Sequence, residues 1–412
     1  MSAGSAHPLA PRPTPFYPRQ QEHCHSREWK NWAGWICPVT YEHSHEAEYW
    51  AIRNSAALID VTPLFKYELR GPDALRVADR IMTRKIASCQ VGRVMYSPWC
   101  DEQGKMIEDG TVARLSQDHL RLTAAERSLR WFEDVGYGLE FTIEDVTEKL
   151  AALSLQGPRA RRVLCAALGQ DLAGLGWFRL AATHLPGREV GLAVTRTGYT
   201  GDLGYELWIE AAHALDLWDL LMQAGRPYGL RPCGLAAMDI ARIEAGLLLI
   251  DVDFIPSNKA VLETQKSSPF EAGLGWSVAL DKPDFIGRSA LLEEKRRGSR
   301  WALVGLEIDW VGLERVFAGF DLPPQVAGRA SRDPVPVYKA GRQIGQATSR
   351  TFSPRLKKYI GLATLEARHA HPGVEVEIEV TVEYTRLKAP AKVAKTPFFD
   401  PPRKRSNPGG GP

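Results

Sequence analysis

The stretch RTGYTGDLGYELWI, residues 196–209, sets an acid where a strand should carry apolar side chains. Period-two alternation puts Tyr205, Leu207 and Ile209 on one face and Glu206 with Trp208 on the other. A carboxylate among aromatic neighbours costs free energy unless something pairs with it. A planar ligand edge with two adjacent N–H donors would satisfy both of its oxygens, and a surface ion pair would serve equally. Gly198, Gly201 and Gly204 add backbone freedom or room for a close approach, and Tyr199 adds a flat ring. A second candidate is the acid pair Glu108-Asp109 in GKMIEDGTV. Neighbouring residues on a strand face opposite ways, so one carboxylate can enter a cleft and move a proton there while the other faces away.

Other chemistries find less support. His23, His25, His43 and His45 offer imidazoles near Cys24 and Glu46, yet H-x-H spacing serves one ion only in an extended segment and nothing else completes a typical site. No metal is expected. There is no G-x-G-x-x-G, no G-x-x-x-x-G-K-[ST] and no G-x-S-x-G, which removes dinucleotide, P-loop and hydrolase-elbow readings. Six cysteines without a C-x-x-C pair read as free thiols of a cytoplasmic protein. A formal charge of +3 argues against nucleic acid as a partner, and no apolar run is long enough for a membrane.

The elements that must position these residues read as α+β. Pro72 and Asp73 open a helix over PDALRVADRIMTR, a turn at 101–104 joins two strands, and AHALDLWDLLMQAG is an amphipathic helix with Ala214, Leu217, Trp218 and Leu221 on one face. VEVEIEV alternates strictly and marks a half-buried strand of a separate C-terminal β domain over 297–397. Segments 1–26 and 398–412, rich in Pro, Ala, Arg and Gly, are expected to be disordered, with the main region over 27–296. Trp29, Trp32 and Trp35 recur every third residue, so they either share a helical face or run along an extended lid; a packing strip and a substrate-lining strip are both open.

Seven pieces in one order carry a resemblance: ALIDVTPLFKYELRGPDA, GKMIEDGTV, LQGP, TRTGYTGDLGYEL, CGLAAMDIARIEAG, SPFEAGLGWSVALDKPDFIGRSAL and GQATSRTFSPRLKKYIGLA. Over about residues 45–398 the chain resembles the tetrahydrofolate-dependent aminomethyltransferases, which include the glycine cleavage T-protein and related folate-dependent demethylases. The resemblance implies a three-domain, cloverleaf-like folate-binding fold with a C-terminal β-barrel. It implies tetrahydrofolate as cofactor, Asp109 beside its reacting nitrogens, and Tyr199 and Glu206 on its pterin. Arg242 in DIARIEAG matches a family arginine, for which a cofactor role and an ion pair with Asp239 or Glu244 are both open.

Two positions depart from the glycine cleavage branch, which usually has asparagine where Thr123 stands and arginine where Met238 stands. With Trp29, Trp32 and Trp35 they form the expected donor-binding set. These departures point first to a demethylase-like enzyme moving a methyl or methylene group from a small O-, N- or S-linked donor to tetrahydrofolate. The alternative is the aminomethyltransferase of glycine cleavage, with a lipoyl carrier protein as partner. A third reading is a non-catalytic folate-binding protein of iron-sulfur cluster assembly, whose cysteine motif has no counterpart in TRTGYTGDLGYE.

Overall fold

A computed structural model describes residues 10–172 and 174–406. Three sheets and their cores make up most of it: a six-stranded sheet, a five-stranded sheet and a closed six-stranded barrel. The six-stranded sheet is assembled from distant pieces, with Ala56–Asp60 beside Leu150–Gln156, then Gly204–Glu210, Gly191–Thr195 and Leu180–His184 outward, and Leu230–Pro232 on the other edge. The chain between its first two strands builds the five-stranded sheet, ordered Val94–Cys100, Met106–Ser116, His119–Ala124, Phe65–Arg70, Thr142–Asp145. The fold is thus mixed α and β with a C-terminal barrel, as the sequence suggests.

Alternation decides which face meets which layer. Tyr205, Leu207 and Ile209 sit in one core with Leu164, Leu217, Trp218 and Leu221 from the helices Ala160–Leu168 and Ala214–Gly225. Trp208, Ala57 and Ile59 point the other way, into a core with Tyr49, Ile52, Ala237 and Ile240 from the helices Glu46–Asn54 and Leu235–Glu244. The sheet is therefore covered by helices on both faces, leaving one patch around Glu206 to meet the five-stranded sheet. Barrel strands Trp301–Ile308, Val335–Lys339, Arg342–Ser353, Lys358–Glu366, Glu375–Val382 and Thr385–Ala394 enclose Leu306, Val337, Ile344, Leu365, Ile378 and Val393.

The ends differ from the expectation of disorder. Arg12–Pro13 pairs with Trp35 and Ile36 as a short parallel strand, Phe16 is fully buried, and Thr14 and Gln20 both donate to Asp60 Oδ2 at 2.7 Å. Residues 398–406 also pack on the body, the main chain of Phe399 donating to the Glu244 carbonyl at 2.9 Å. A few buried anchors outweigh the Pro- and Arg-rich composition in both segments. Residues 1–9 and 407–412 lie outside the described part.

The tryptophan segment is extended rather than helical. Glu28–Trp32 and Trp35–Thr40 form an antiparallel hairpin closed at Ala33 and Gly34, with φ of 50° and 86°. Two positive φ values in a two-residue turn reverse the chain between Trp32 and Trp35, which face each other across it.

Candidate active site

Glu206 and Thr123 meet in a cleft between the two sheets. From the five-stranded sheet it is lined by Val94, Thr111, Ala113, Arg121 and Thr123, and from the six-stranded sheet by Leu180, Thr195, Thr197, Glu206 and Trp208. The Thr197 hydroxyl donates to Glu206 Oε2 at 2.6 Å, while Trp208 Nε1 donates to the Thr195 hydroxyl at 3.4 Å. Burial pushes the Glu206 carboxyl above its ordinary range, and the hydroxyls of Thr197 and Thr195 oppose that shift. Among the described residues no cation pairs with it. The surface ion pair that the sequence left open is therefore not formed.

The acid pair divides as strand geometry requires. Glu108 is buried: its carboxylate accepts from the main-chain N–H groups of Ala125 and Glu126 and from the Ser128 hydroxyl, pinning the 125–128 turn. Asp109 faces the other way, on the same side of its strand as the cleft-lining Thr111 and Ala113. Tyr96 Oη donates to Asp109 Oδ2 at 2.5 Å. Burial pushes the Asp109 carboxyl up to about 6, against the Tyr96 hydrogen bond that holds it down. A carboxylate poised there can accept and return a proton near neutral pH. Gly110 beside it is obligatory, since a Cβ would lie 2.0 Å from the Thr123 carbonyl oxygen.

Tyr199 lies within electrostatic reach of Asp109, whose charge helps burial raise the phenol well above its usual range. Its hydroxyl donates to the Leu248 carbonyl, which leaves the ring as its available surface. The three glycines around it divide differently than expected. Only Gly201 has a positive φ, 72°, whereas Gly198 and Gly204 clear space for the Gln156 side chain, with ideal Cβ positions 2.3 and 2.1 Å from its amide. A protein side chain, not a ligand, occupies that close approach.

Arg242 does not offer its guanidinium to the cleft. It is 1% exposed; Nε donates to Asp239 at 2.8 Å, one terminal nitrogen to Ser349 Oγ at 2.7 Å, and the other pairs with Asp253 and the Leu247 carbonyl. Asp253 also accepts from Thr348 and Ser349 at 2.6 and 2.7 Å. The cofactor role expected for Arg242 is thus replaced by a structural one, joining its helix to the barrel strand Arg342–Ser353. Its partner is Asp239, while Glu244 pairs with Arg53 at 2.6 Å, both side chains fully buried.

The donor-side set is only partly assembled. Thr123 lines the cleft, its hydroxyl 2.5 Å from that of Thr111. Met238 and Trp32 pack against the cluster that includes the cleft residue Trp208. Trp29 instead packs on the helix-covered core behind the sheet, its ring 5.1 Å from Tyr17, and Trp35 is 5% exposed with the Arg12 guanidinium 4.2 Å above it. The hairpin sends these two away from the cleft, and they serve as packing. The histidines are also dispersed in role: His45 precedes the Glu46–Asn54 helix and His23 sits 6.2 Å from Trp218. No group of His, Cys, Asp or Glu among the described residues is arranged to hold a metal ion. All six cysteines are free, and no helix among the described residues is long and apolar enough to cross a membrane.

Sequence reasoning missed Tyr96, Thr195, Thr197 and the buried Arg53–Glu244 pair. Hydroxyls two residues apart at the start of TRTGYTGD were visible, but their direction depends on sheet pairing.

Comparison with known proteins decides the family. Residues 19–282 match the GCVT N-terminal domain, and residues 315–400 match the glycine cleavage T-protein C-terminal barrel domain. The chain belongs to the glycine cleavage T-protein family. Among similar members of that family is an aminomethyltransferase of Halalkalibacterium halodurans, 34% identical over 383 residues, covering 92% of this chain and 94% of the relative. A trimethylamine-oxide aldolase of Ruegeria pomeroyi is 35% identical over 369 residues, 87% of this chain but 43% of that longer protein. The solved aminomethyltransferase T of the glycine cleavage system from Bartonella henselae shares the T-protein fold with a TM-score of 0.79 at 24% identity, over 95% of this chain and 98% of that one.

Proposed function

We propose that this chain is a tetrahydrofolate-dependent aminomethyltransferase, taking the methylene carbon of an aminomethyl group held on a carrier thiol and passing it to tetrahydrofolate, with ammonia and the free carrier thiol released. The observation that carries the reading is one cleft holding a carboxylate, Glu206, that forms no ion pair among the described residues, since the cleft's Arg121 is held by Glu68; beside it a second carboxylate poised near neutrality, Asp109, lies on the cleft side of its strand, within electrostatic reach of Tyr199. The apolar walls from Val94, Leu180 and Trp208 suit a flat heterocycle, and Glu206 suits its adjacent N–H donors. Tetrahydrofolate, when bound, supplies the nucleophilic ring nitrogen that takes the carbon. Tyr199 offers its ring face to the heterocycle. Asp109 accepts the proton that nitrogen must lose, and its negative charge favours cationic character developing at the carbon.

The small-donor demethylase reading, which ranked first on sequence, gives way because the similar full-length relatives are named aminomethyltransferases and because Trp29 and Trp35 do not line the cleft. One observation keeps it as second reading: Thr123 and Met238 do stand at or beside the cleft, and neither carries a charge. Anaerobic turnover with tetrahydrofolate separates the two. Aminomethyl-loaded lipoyl carrier protein is expected to be consumed, with methylated amines, methoxyaromatics and sulfonium donors inert. Turnover of a small donor and none of the carrier would reverse the order; absence of tetrahydrofolate binding would refute both.

A further inference from the structure

The segment after the barrel crosses back to the loop that carries Tyr199. Phe398 packs over Gly305, where an ideal Cβ would come 2.6 Å from its ring, and joins the Ile243, Ile360 and Leu362 cluster. The ring of Phe399 lies 4.5 Å from the Arg53 guanidinium. Four residues on, Arg403 grips Asp202 with two parallel hydrogen bonds, Nε to Oδ1 at 2.6 Å and a terminal nitrogen to Oδ2 at 2.8 Å. Arg196 closes the arrangement from the other end of the loop, donating to the main-chain carbonyl of Ser406 at 2.6 Å and to those of Arg403 and Lys404 at 3.4 Å. Lys404 and Arg405 lie 6.0 and 5.1 Å from the Trp177 ring.

Asp202 is the key member. Its side chain is fully buried; among the described residues the other cation within ion-pair distance is Arg53 at 3.6 Å, already committed to Glu244 at 2.6 Å, while Lys404 of the same strap feels its charge without pairing to it. Without Arg403 it would be a buried carboxylate short of its bidentate partner, a costly state that the loop relieves by opening to water. Asp202 stands three residues after Tyr199 and four before Glu206. The loop is otherwise held by Arg53 to the Thr200 carbonyl at 2.9 Å, Thr200 Oγ1 to Gln156 at 2.8 Å, Gln156 to the Thr197 carbonyl at 3.2 Å, the Gly157 main chain to the Leu203 carbonyl at 2.8 Å, and Tyr199 to Leu248, none of which answers the Asp202 charge. The match to the family barrel domain ends at residue 400, before Arg403.

We propose that residues 398–406 are a strap whose Arg403 is a positioning residue: it holds the 197–204 loop, and through it Tyr199 and Glu206, in the geometry that receives the co-substrate. The ligand part of this inference rests on the tetrahydrofolate reading; the strap itself does not. Arg403 touches no reacting group, so its loss acts on binding. The pH profile of the step at saturation, which Asp109 sets, stays as it is in the parent.

The test pairs two measurements on the full chain, with Arg403→Ala, with Asp202→Asn and with the two combined. Amide hydrogen exchange of residues 197–204 in the ligand-free protein is expected to accelerate at least about tenfold in the single variant. The dissociation constant and KM for tetrahydrofolate are expected to rise about tenfold, with kcat within about twofold of the parent. In the double variant the loss of Arg403 should add little to Asp202→Asn alone, because the uncompensated charge is gone. Unchanged exchange in Arg403→Ala overturns the strap. Faster exchange with unchanged tetrahydrofolate affinity overturns its role in positioning the ligand. Faster exchange in the variant, when the parent itself binds no tetrahydrofolate, upholds the strap and refutes the folate reading instead.

Discussion

Replacing Tyr96 by Phe removes one hydroxyl and leaves the ring that stacks 6.0 Å from Trp276. That hydroxyl donates to Asp109 at 2.5 Å and holds down a carboxyl that burial has pushed up to about 6. A hydrogen bond to a charged group contributes ~1.5–3 kcal/mol. At ~1.4 kcal/mol per pKa unit, its loss should raise the Asp109 value by roughly one to two units, to roughly 7–8. With the midpoint near 7.5, the ionised fraction at pH 6.5 falls from about 0.8 to about 0.1, an eightfold loss, whereas at pH 8.5 parent and variant differ by only about a tenth. The assay is kcat/KM for tetrahydrofolate between pH 5.5 and 9, which reports the free enzyme's essential base. Any general damage from the substitution scales the whole profile, so the diagnostic is the change in the variant-to-parent ratio between pH 6.5 and 8.5. A ratio flat across that range, or an acid limb that moves down, would refute the assignment of Asp109 as the titrating base and of Tyr96 as the group that tunes it.

Asp109→Asn should lower kcat by about 10²–10⁴ and abolish the acid limb, measured by the same assay. Because the folded carboxyl titrates near 6 rather than 3.8, its ionisation opposes folding, with no cost below the unfolded value and the full cost above about 6. The substitution should therefore stabilise the protein at pH 7.5, by up to ~3 kcal/mol less the lost Tyr96 bond, read from urea midpoints. Glu206→Gln should weaken tetrahydrofolate binding at least about tenfold in anaerobic calorimetry without destabilising the protein at pH 7.5, since no ion pair is lost and a carboxyl held above its ordinary range opposes folding when ionised. Arg53→Ala breaks the fully buried pair with Glu244 and should cost about 3–5 kcal/mol, visible as a large drop in the urea midpoint. Gly110→Ala should destabilise by about 1–3 kcal/mol and displace Asp109, lowering kcat as well, because its Cβ would strike the Thr123 carbonyl.

Much of the site was legible because it obeys period two. Alternation alone placed Glu206 opposite the core face of Tyr205, Leu207 and Ile209, and it split Glu108 from Asp109, although not which of them would face the cleft. What escaped the sequence depends on pairing between distant segments. Tyr96 reaches Asp109 because Pro98 stands opposite Asp109 in the ladder, a register fixed by the turn at 101–104 and by the packing of the whole sheet. The every-third-residue tryptophans mimic a helical stripe because a two-residue turn at Ala33 and Gly34 separates Trp32 from Trp35, and a short window cannot tell a reversal from a winding. The chain ends read as disordered by composition, yet Phe16, Phe399 and Arg403 each have a buried partner contributed by residues far away in sequence.

Arg242 and Glu206 show why a buried-looking charge cannot be assigned from its own neighbourhood. Glu206 sits among apolar and aromatic residues and Arg242 in an apolar segment, and both were candidates for the same ligand. In the fold Arg242 meets Asp239 and Asp253, so its charge is answered within the protein and its donors are spent. Glu206 meets two threonine hydroxyls, which steady its orientation but leave its charge unanswered. Burial without a counter-ion is unfavourable for the protein alone, and such a cost persists where a ligand brings the complementary donors. The distinction is therefore one of partners rather than of burial. Among the described residues no cation pairs with Glu206, the cleft's Arg121 being held by Glu68, and that, not the glutamate itself, marks the wall of the cleft where a ligand belongs.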